Sequence, residues 1–217
     1  MAESLVDKRE APRSKLQHVR YGVREPGGRD EAAALHDRLA PNGELLVGMV
    51  SARNVPEKGY DVFVQALARA GDDVRGVLVG PHPGDPFLAL VSELGLDDRL
   101  TIVGRVPGVN AYYHAIDLLV LPSTREEAMP LVMLEAMAAH TPVYESRLAG
   151  VPEAVVEGET GRMFTPSDVD ALAALIADAP QRREELKRMG DAGRRRYEEL
   201  FAPAALRARL EELYSNS

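Results

Sequence analysis

Short apolar runs recur along the chain from residue 45 onward, and each run is continuous rather than alternating with polar residues. Strands of a parallel sheet show this pattern because both of their faces are buried. The sequence therefore predicts strands at 45–50, 76–79, 100–103, 118–121 and 142–144.

Helical patterns lie between these runs. Apolar residues recur at helical spacing on three predicted faces, at 62, 63, 66, 67 and 70, at 87, 90, 91 and 94, and at 131, 134, 137 and 138. Strands that alternate with helices predict a parallel sheet built from βαβ units. The predicted fold is therefore an α/β, doubly wound, Rossmann-like domain.

The two ends of the chain complete this prediction. Residues 1–15 are expected to form a linker or a disordered start, and a single domain is expected over residues 16–217. Within it, a short strand is predicted at 16–21 and a helix at 30–39. Three helices are predicted after Ser167, with breaks near Pro180 and Pro203.

Composition narrows the range of functions. The 217 residues include 26 Lys or Arg and 34 Asp or Glu, for a net charge of −8, which argues against a nucleic-acid binder. There is no cysteine, so a disulfide framework, a thiolate nucleophile and a cysteine metal site are excluded. No apolar run approaches the roughly 20 residues of a membrane span, and the charged start predicts no signal peptide. We expect a cytoplasmic protein.

The segment 122–135 holds the first candidate site. In an open parallel sheet, ligands bind beyond the carboxyl ends of the strands, and this segment follows the predicted strand 118–121. Pro130 suits the first position of a helix, whose N-terminus offers N–H groups and a positive dipole end to an anion. Glu127 and Glu135 would stand on either side of that anion and accept hydrogen bonds from sugar hydroxyls. A helix-terminal charge and a solvated residue are the alternative interpretation.

The segment 51–59 holds the second candidate site. It places Arg53 and Lys58 on a strand-end loop of an acidic protein, where both could bind a phosphate. Gly59 would permit a tight turn into the next helix. The alternative interpretation is that both are solvated surface cations.

Together these segments resemble glycosyltransferase family 4, whose members are retaining enzymes with the GT-B fold. Arg53 and Lys58-Gly59 resemble its diphosphate clamp, and the span from Glu127 to Glu135 resembles its Glu-x7-Glu signature. Further motifs match in kind and order, namely Glu-Ala-Met-Ala at 135–138, Pro142-Val143, Gly104-Arg105-Val106, Gly150-Val151-Pro152-Glu153 and Gly158-Glu159-Thr160-Gly161.

The resemblance implies the C-terminal, donor-binding half of a GT-B enzyme, without the N-terminal half that binds the acceptor. It implies transfer of a sugar from a nucleoside diphosphate sugar to a sugar, lipid or small-molecule acceptor, without a metal or a cofactor. In catalysis it implies roles for Glu127, Arg53 and Lys58. In donor binding it implies roles for Arg53, Lys58, Val106, Glu127, Leu131, Val132 and Glu135.

Two other classes of function stay open. One is a non-catalytic nucleotide-sugar-binding module, or a subunit that needs a partner half. The other is a GT-B epimerase or phosphorylase, although no motif for a pyridoxal phosphate lysine is present. As the donor-binding half of a transferase, the chain alone is expected to be inactive in transfer, because a GT-B cleft lies between two domains.

Some residues depart from the family pattern or suggest other chemistry. His140 stands where the family usually has glycine, and Tyr144-Glu145 replaces a smaller apolar pair. Asp168 and Asp170 match a metal-binding Asp-x-Asp pattern, but they are better explained as a helix start. The basic run at 194–196 could touch the inner face of a membrane, although a salt-bridged helix explains it better.

Overall fold

A six-stranded parallel sheet forms the centre of the computed structural model, which describes residues 17–52, 55–80, 87–125 and 129–215. The strand order is β3-β2-β1-β4-β5-β6, which is the doubly wound order of Rossmann-like folds. The predicted fold class is confirmed. The strands are β1 Leu45–Val50, β2 Val74–Val79, β3 Leu100–Gly104, β4 Leu118–Leu121, β5 Val143–Ser146 and β6 Gly161–Phe164.

Helices connect the strands and cover both faces of the sheet. They are α1 Arg29–Leu39, α2 Tyr60–Arg69, α3 Phe87–Glu93, α4 Val109–Ala115, α5 Leu131–Ala138, α6 Val151–Ala154, α7 Val169–Asp178, α8 Arg183–Leu200 and α9 Pro203–Ser215. Two short 3-10 helices, Pro56–Lys58 and Ala179–Arg182, precede α2 and α8. The predicted breaks near Pro180 and Pro203 are confirmed.

The core consists of one apolar layer on each face of the sheet. Helices α1, α4, α5 and α6 cover one face, and α2, α3 and α7 cover the other. Helix α8 contributes to both layers, with Tyr197 on the first face and Leu186 on the second. All six residues of β1 are buried, as the continuous apolar run predicts.

The sequence prediction is wrong at two strands. Residues 17–21 form no strand and are mostly exposed. This segment leads to α8 instead of a sheet edge, because Val23 donates its N–H to the carbonyl of Phe201 and accepts from the hydroxyl of Tyr197. Conversely, Gly161–Phe164 forms the edge strand β6, which no prediction included. The predicted linker, residues 1–15, lies outside the described residues.

Two predicted apolar faces are also only partly correct. Val91 on α3 is buried, whereas Leu94, one residue past the end of that helix, is 36% exposed. On α5, Leu134 and Met137 are buried, but Leu131, the first residue of the helix, is 50% exposed.

The basic run on α8 belongs to the folded structure. Arg194 forms ion pairs with Glu198, at 2.8 Å, and with Glu25, at 2.9 Å, and Arg196 donates to the carbonyl of Ala154. The salt-bridged interpretation of this run is therefore confirmed for Arg194, whereas Arg196 is held by a backbone carbonyl. In the part of the chain that the structure describes, no helix has the length and apolarity to cross a membrane.

Candidate functional site

The site lies where the strand order reverses, beyond the carboxyl ends of β1 and β4. The chain leaves β1 toward α2 on one face of the sheet and leaves β4 toward α5 on the other face, which opens a crevice between the two loops. The two loops are joined to each other, because the N–H of Thr124, after β4, donates to the carbonyl oxygen of Glu57, after β1, at 2.8 Å. Arg125 adds an exposed ion pair with Glu57 at 3.8 Å.

Gly59 sets the turn that holds the first loop in place. Its backbone is left-handed, with φ of 70°, where it closes the 3-10 helix Pro56–Lys58 and caps α2. A Cβ atom at this position would stand 2.0 Å from the carbonyl oxygen of Pro122. The predicted tight turn is confirmed, and it leaves the half-buried Lys58 beside the crevice loops.

A cavity of about 360 Å³ opens at the ends of β1, β2 and β3. Its walls include three of the predicted donor-binding residues, Val106, Val132 and Glu135. Lys58 and Leu131, which were also predicted, lie on the neighbouring loops and do not belong to the described lining of this cavity. A mostly apolar wall with a few polar groups is typical of small-molecule sites.

The N-terminus of α5 points its first amides toward this region. Pro130 precedes the helix with an extended backbone, φ −66° and ψ 122°, and Leu131 and Val132 are the first two helical residues. The first N–H groups of a helix have no partner within it, and they carry the positive end of the helix dipole. Glu135 follows Leu131 by four residues, about 6 Å along the axis.

The carboxylate of Glu135 is fixed by a tyrosine that the sequence prediction did not include. The hydroxyl of Tyr113, on α4, donates to Oε2 of Glu135 at 2.6 Å. Tyr113 is only 1% exposed, and burial, together with the nearby Glu135 carboxylate, raises the pKa of its hydroxyl far above the ordinary range. The hydroxyl therefore stays protonated and keeps donating. The interpretation of Glu135 as a merely solvated residue is wrong.

Arg105 is a second residue of the cavity wall to which no role was assigned. Its guanidinium donates to the carbonyl of Ala52 at 3.2 Å, which joins the loop after β3 to the loop after β1. The position of Arg105, directly after the Gly104 motif on a strand-end loop, was a usable signal. No such signal marked Tyr113, because an aromatic residue in an apolar helix is most often a core residue.

Two of the predicted catalytic residues, Arg53 and Glu127, lie outside the described residues. The two aspartates considered as metal ligands do have described positions. Asp168 caps α7 by accepting from the N–H of Ala171 at 2.9 Å, and Asp170 forms an ion pair with Arg69. The helix-start interpretation of this pair is confirmed.

Comparison with known proteins agrees with this architecture. The family described as glycosyl transferases group 1 matches residues 33–196. The chain is 34% identical to the MMP alpha-(1->4)-mannosyltransferase of Mycolicibacterium hassiacum, over 77% of this chain and 42% of that protein. It is 28% identical to the GDP-mannose-dependent alpha-(1-6)-phosphatidylinositol monomannoside mannosyltransferase of Mycolicibacterium smegmatis, over 94% and 57%.

Among solved structures, the crystal structure of Anabaena Alr3699/HepE in complex with UDP matches with a TM-score of 0.88 at 21% identity. The match covers 99% of this chain and 61% of that one, and it shows a shared fold. The chain thus spans about half the length of the curated relatives that it matches. Because the family match covers most of the sequence, the chain belongs to the glycosyl transferases group 1 family.

Proposed function

We propose that this chain is the donor-binding domain of a retaining glycosyltransferase of family 4 with the GT-B fold. The enzyme would transfer a sugar from a nucleoside diphosphate sugar to an acceptor. The observation that carries this proposal is the carboxylate of Glu135 in the wall of an apolar cavity, about one helical turn from the first amides of α5. An apolar wall, a carboxylate and an anion site in this order suit a base, a ribose and a diphosphate.

Each part of the donor has an assigned partner in this proposal. Val106 and its neighbours border the base, and Glu135 accepts hydrogen bonds from the ribose hydroxyls. The amides of Leu131 and Val132 face the phosphates, together with the cations Arg53 and Lys58. Glu127 holds hydroxyls of the transferred sugar.

The proposed chemistry is the departure of a diphosphate. The bond between the anomeric carbon and the phosphate oxygen breaks, and the acceptor oxygen bonds to the same face of that carbon. The acceptor proton goes to the leaving diphosphate. Positive groups placed where the negative charge develops stabilise the transition state more than the ground state. Arg53, Lys58 and the N-terminus of α5 would supply that charge without a metal or another cofactor.

The names of the relatives guide the choice of donor. Two of them are mannosyltransferases, and one of these is described as GDP-mannose-dependent, whereas the structural neighbour holds UDP. GDP-mannose is therefore the first donor to test, with UDP-glucose as the second. A cytoplasmic location, at the inner face of a membrane if the acceptor is a lipid, belongs to the same proposal and agrees with the lack of cysteine.

The 217-residue chain alone is proposed to bind the donor but not to transfer its sugar to an acceptor. The cavity is open to solvent, and Leu131 at the edge of the crevice is 50% exposed. Water in an open site weakens every electrostatic contact with the donor. We therefore expect dissociation constants between about 1 μM and 1 mM, which correspond to roughly 8 to 4 kcal/mol of binding free energy.

Calorimetric titration with ADP, GDP and UDP, followed by GDP-mannose and UDP-glucose, tests the proposal. Binding of at least one nucleoside diphosphate in that range is expected, and no binding of any of them would contradict it. A second assay compares labelled-sugar transfer by the chain alone with transfer by the chain joined to an N-terminal half of a relative. Transfer by the joined protein only is expected. A joined protein that binds donor and stays inactive with a panel of acceptors would favour the non-catalytic module.

A further inference from the structure

The contact between Tyr113 and Glu135 joins two helices across the wall of the cavity. Tyr113 is on α4, which follows β3, and Glu135 is on α5, which follows β4. The two side chains meet at 2.6 Å, and both of them line the cavity. The buried hydroxyl of Tyr113 thus bonds a carboxylate that is itself part of the cavity wall.

Tyr113 is held in place from both of its ends. Its ring is buried in the core layer of the α4 and α5 face. Its backbone carbonyl accepts from Oγ1 of Thr141 at 2.5 Å, and Thr141 is only 4% exposed. Thr141 in turn donates its N–H to the carbonyl of Ala136 on α5. The end of α4 is therefore fastened to the end of α5, and the tyrosine hydroxyl has little freedom to follow a moving partner.

A glutamate on a helix surface normally samples several rotamers, and ordering it reduces the binding free energy that its contacts supply. The hydroxyl of Tyr113 donates a hydrogen bond to Oε2 of Glu135, and this bond restricts the rotamers of the glutamate before any ligand binds. Among the described residues, Tyr113 is the side chain that bonds this carboxylate, so Oε1 and the second lone pair of Oε2 can accept from hydroxyl groups of a ligand.

We propose that Tyr113 is a positioning residue, which presets the carboxylate of Glu135 for the two adjacent ribose hydroxyls of the donor nucleotide. The inference rests on the proposed donor-binding function. It adds to that function a source of selectivity for ribonucleotides over deoxyribonucleotides. A site that is built to bond a hydroxyl discriminates strongly against an analogue that lacks it, because its own polar group is then left unpaired.

The test compares GDP with 2′-deoxy-GDP, and UDP with 2′-deoxy-UDP, by calorimetry on four proteins. These are the unchanged chain, Tyr113→Phe, Glu135→Gln and the double variant. Tyr113→Phe keeps the buried ring and removes only the hydroxyl, so the core layer stays filled. Tyr112→Phe is the matched control, because Tyr112 is the neighbouring residue of α4, is equally aromatic and lies outside the described cavity lining.

The unchanged chain is expected to prefer the ribonucleotide about 10- to 150-fold, the size of one hydrogen bond to a charged group. Tyr113→Phe is expected to reduce that preference to about threefold or less, while the deoxynucleotide keeps its affinity. Tyr112→Phe should retain the full preference. In the Glu135→Gln background, Tyr113→Phe should have no further effect on the preference, because Tyr113 acts through Glu135.

Three results would overturn the inference. A Tyr113→Phe protein with the full preference and unchanged affinity for the ribonucleotide would show that the hydroxyl is not needed, although the proposed function would stand. Equal weakening for the ribonucleotide and the deoxynucleotide would show a general structural role. An unchanged chain that binds no nucleoside diphosphate would overturn the proposed function and this inference together. Thermal unfolding of each variant without nucleotide, with midpoints within a few degrees of one another, confirms that the folded proteins are being compared.

Discussion

The N–H of Thr124 donates to the carbonyl oxygen of Glu57 at 2.8 Å, and this bond unites the two loops that border the crevice. One of these loops carries Lys58, and the other leads into α5. The packing of Gly59 on the carbonyl of Pro122 adds a second point of contact between them. The loops therefore form one unit, and the cation of the first is held in fixed relation to the helix N-terminus of the second.

The proposed phosphate clamp can be tested at its two cations. Arg53→Ala and Lys58→Ala are each expected to weaken binding of a nucleoside diphosphate by about 1.5–3 kcal/mol, because each removes a hydrogen bond between charged groups. Calorimetry gives this quantity directly. Arg69→Ala is the control, since Arg69 lies at the far end of α2 and pairs with Asp170. Unchanged affinity in both clamp variants would refute the clamp.

Gly59 and Gly71 provide a matched pair for the packing of the crevice loops. Both have left-handed backbones, with φ of 70° and 88°, but a Cβ at Gly59 would meet Pro122 at 2.0 Å, whereas nothing lies within 4 Å of a Cβ at Gly71. Gly71→Ala should lower the free energy of unfolding by about 1–2 kcal/mol, the cost of the backbone conformation alone. Gly59→Ala should lower it by at least about 3 kcal/mol, because the backbone must also move. Urea unfolding measures both, and equal losses would disprove the argument from close packing.

Glu44 is expected to make the protein sensitive to acid. Its hydrogen bond from Arg75, at 2.8 Å, and bonds from Asn42 lower the pKa of its carboxyl from 4.5 to about 2. Because the folded pKa is the lower one, the stabilisation is complete above pH 4.5 and is lost as the pH falls toward 2. Glu44→Gln should lower the free energy of unfolding by about 1–3 kcal/mol at pH 7 and by much less near pH 2.

Urea unfolding at several pH values tests this prediction. Glu93→Gln, at an exposed position on α3, serves as the control and should leave the stability nearly unchanged. A Glu44→Gln protein with the same acid sensitivity as the unchanged chain would show that this carboxylate does not contribute.

His140 adopts a left-handed backbone, with φ of 64°, in the turn between α5 and β5. Its imidazole also forms a half-exposed hydrogen bond with the side chain of Asp191 on α8, at 2.9 Å. Replacement by glycine or by alanine removes that bond equally, so the difference between the two variants isolates the backbone conformation. His140→Gly should be more stable than His140→Ala by about 1 kcal/mol. Equal unfolding midpoints would mean that the turn relaxes to another conformation.

Nucleotide binding is predicted to need no divalent metal. The proposed clamp already carries the positive charge that a diphosphate requires, and the aspartate pair at 168 and 170 is occupied by capping and by Arg69. Calorimetry in excess chelator should give the same affinity as calorimetry with Mg²⁺ or Mn²⁺. The prediction fails if chelator abolishes binding and either metal restores it.

Much of the fold could be predicted because burial on both faces leaves continuous apolar runs. The runs at 45–50 and 118–121 match β1 and β4 in both boundaries. Strand β6 gave a weaker signal, since Gly161–Phe164 is a short edge strand in which Arg162 is only half-buried. The strand predicted at 16–21 failed because strand propensity is local, whereas sheet membership requires a neighbouring strand.

Part of the candidate site could be predicted from sequence motifs. Glu135 and Val132 were found because they belong to a spaced motif on the helix after β4. Tyr113 was missed because the role proposed for its hydroxyl depends on a contact between residues 22 positions apart, on two different helices. Hydrophobic periodicity assigns such a tyrosine to the core, which is correct for its ring and says nothing about its hydroxyl.

The central position of β1 also has a consequence for synthesis of the chain. Strand β2 follows β1 closely in the sequence, whereas β4, the other neighbour of β1, is synthesised much later. The N–H of Leu46 in β1 donates to the side chain of Asp117, directly before β4 and 71 residues further along the chain. A ribosome adds about 5–20 residues per second, so one edge of a fully apolar strand stays open for roughly 4–15 s. An open edge is a template for pairing with a foreign strand. The nascent chain is therefore most open to pairing with a foreign strand in the interval between the emergence of β1 and that of β4.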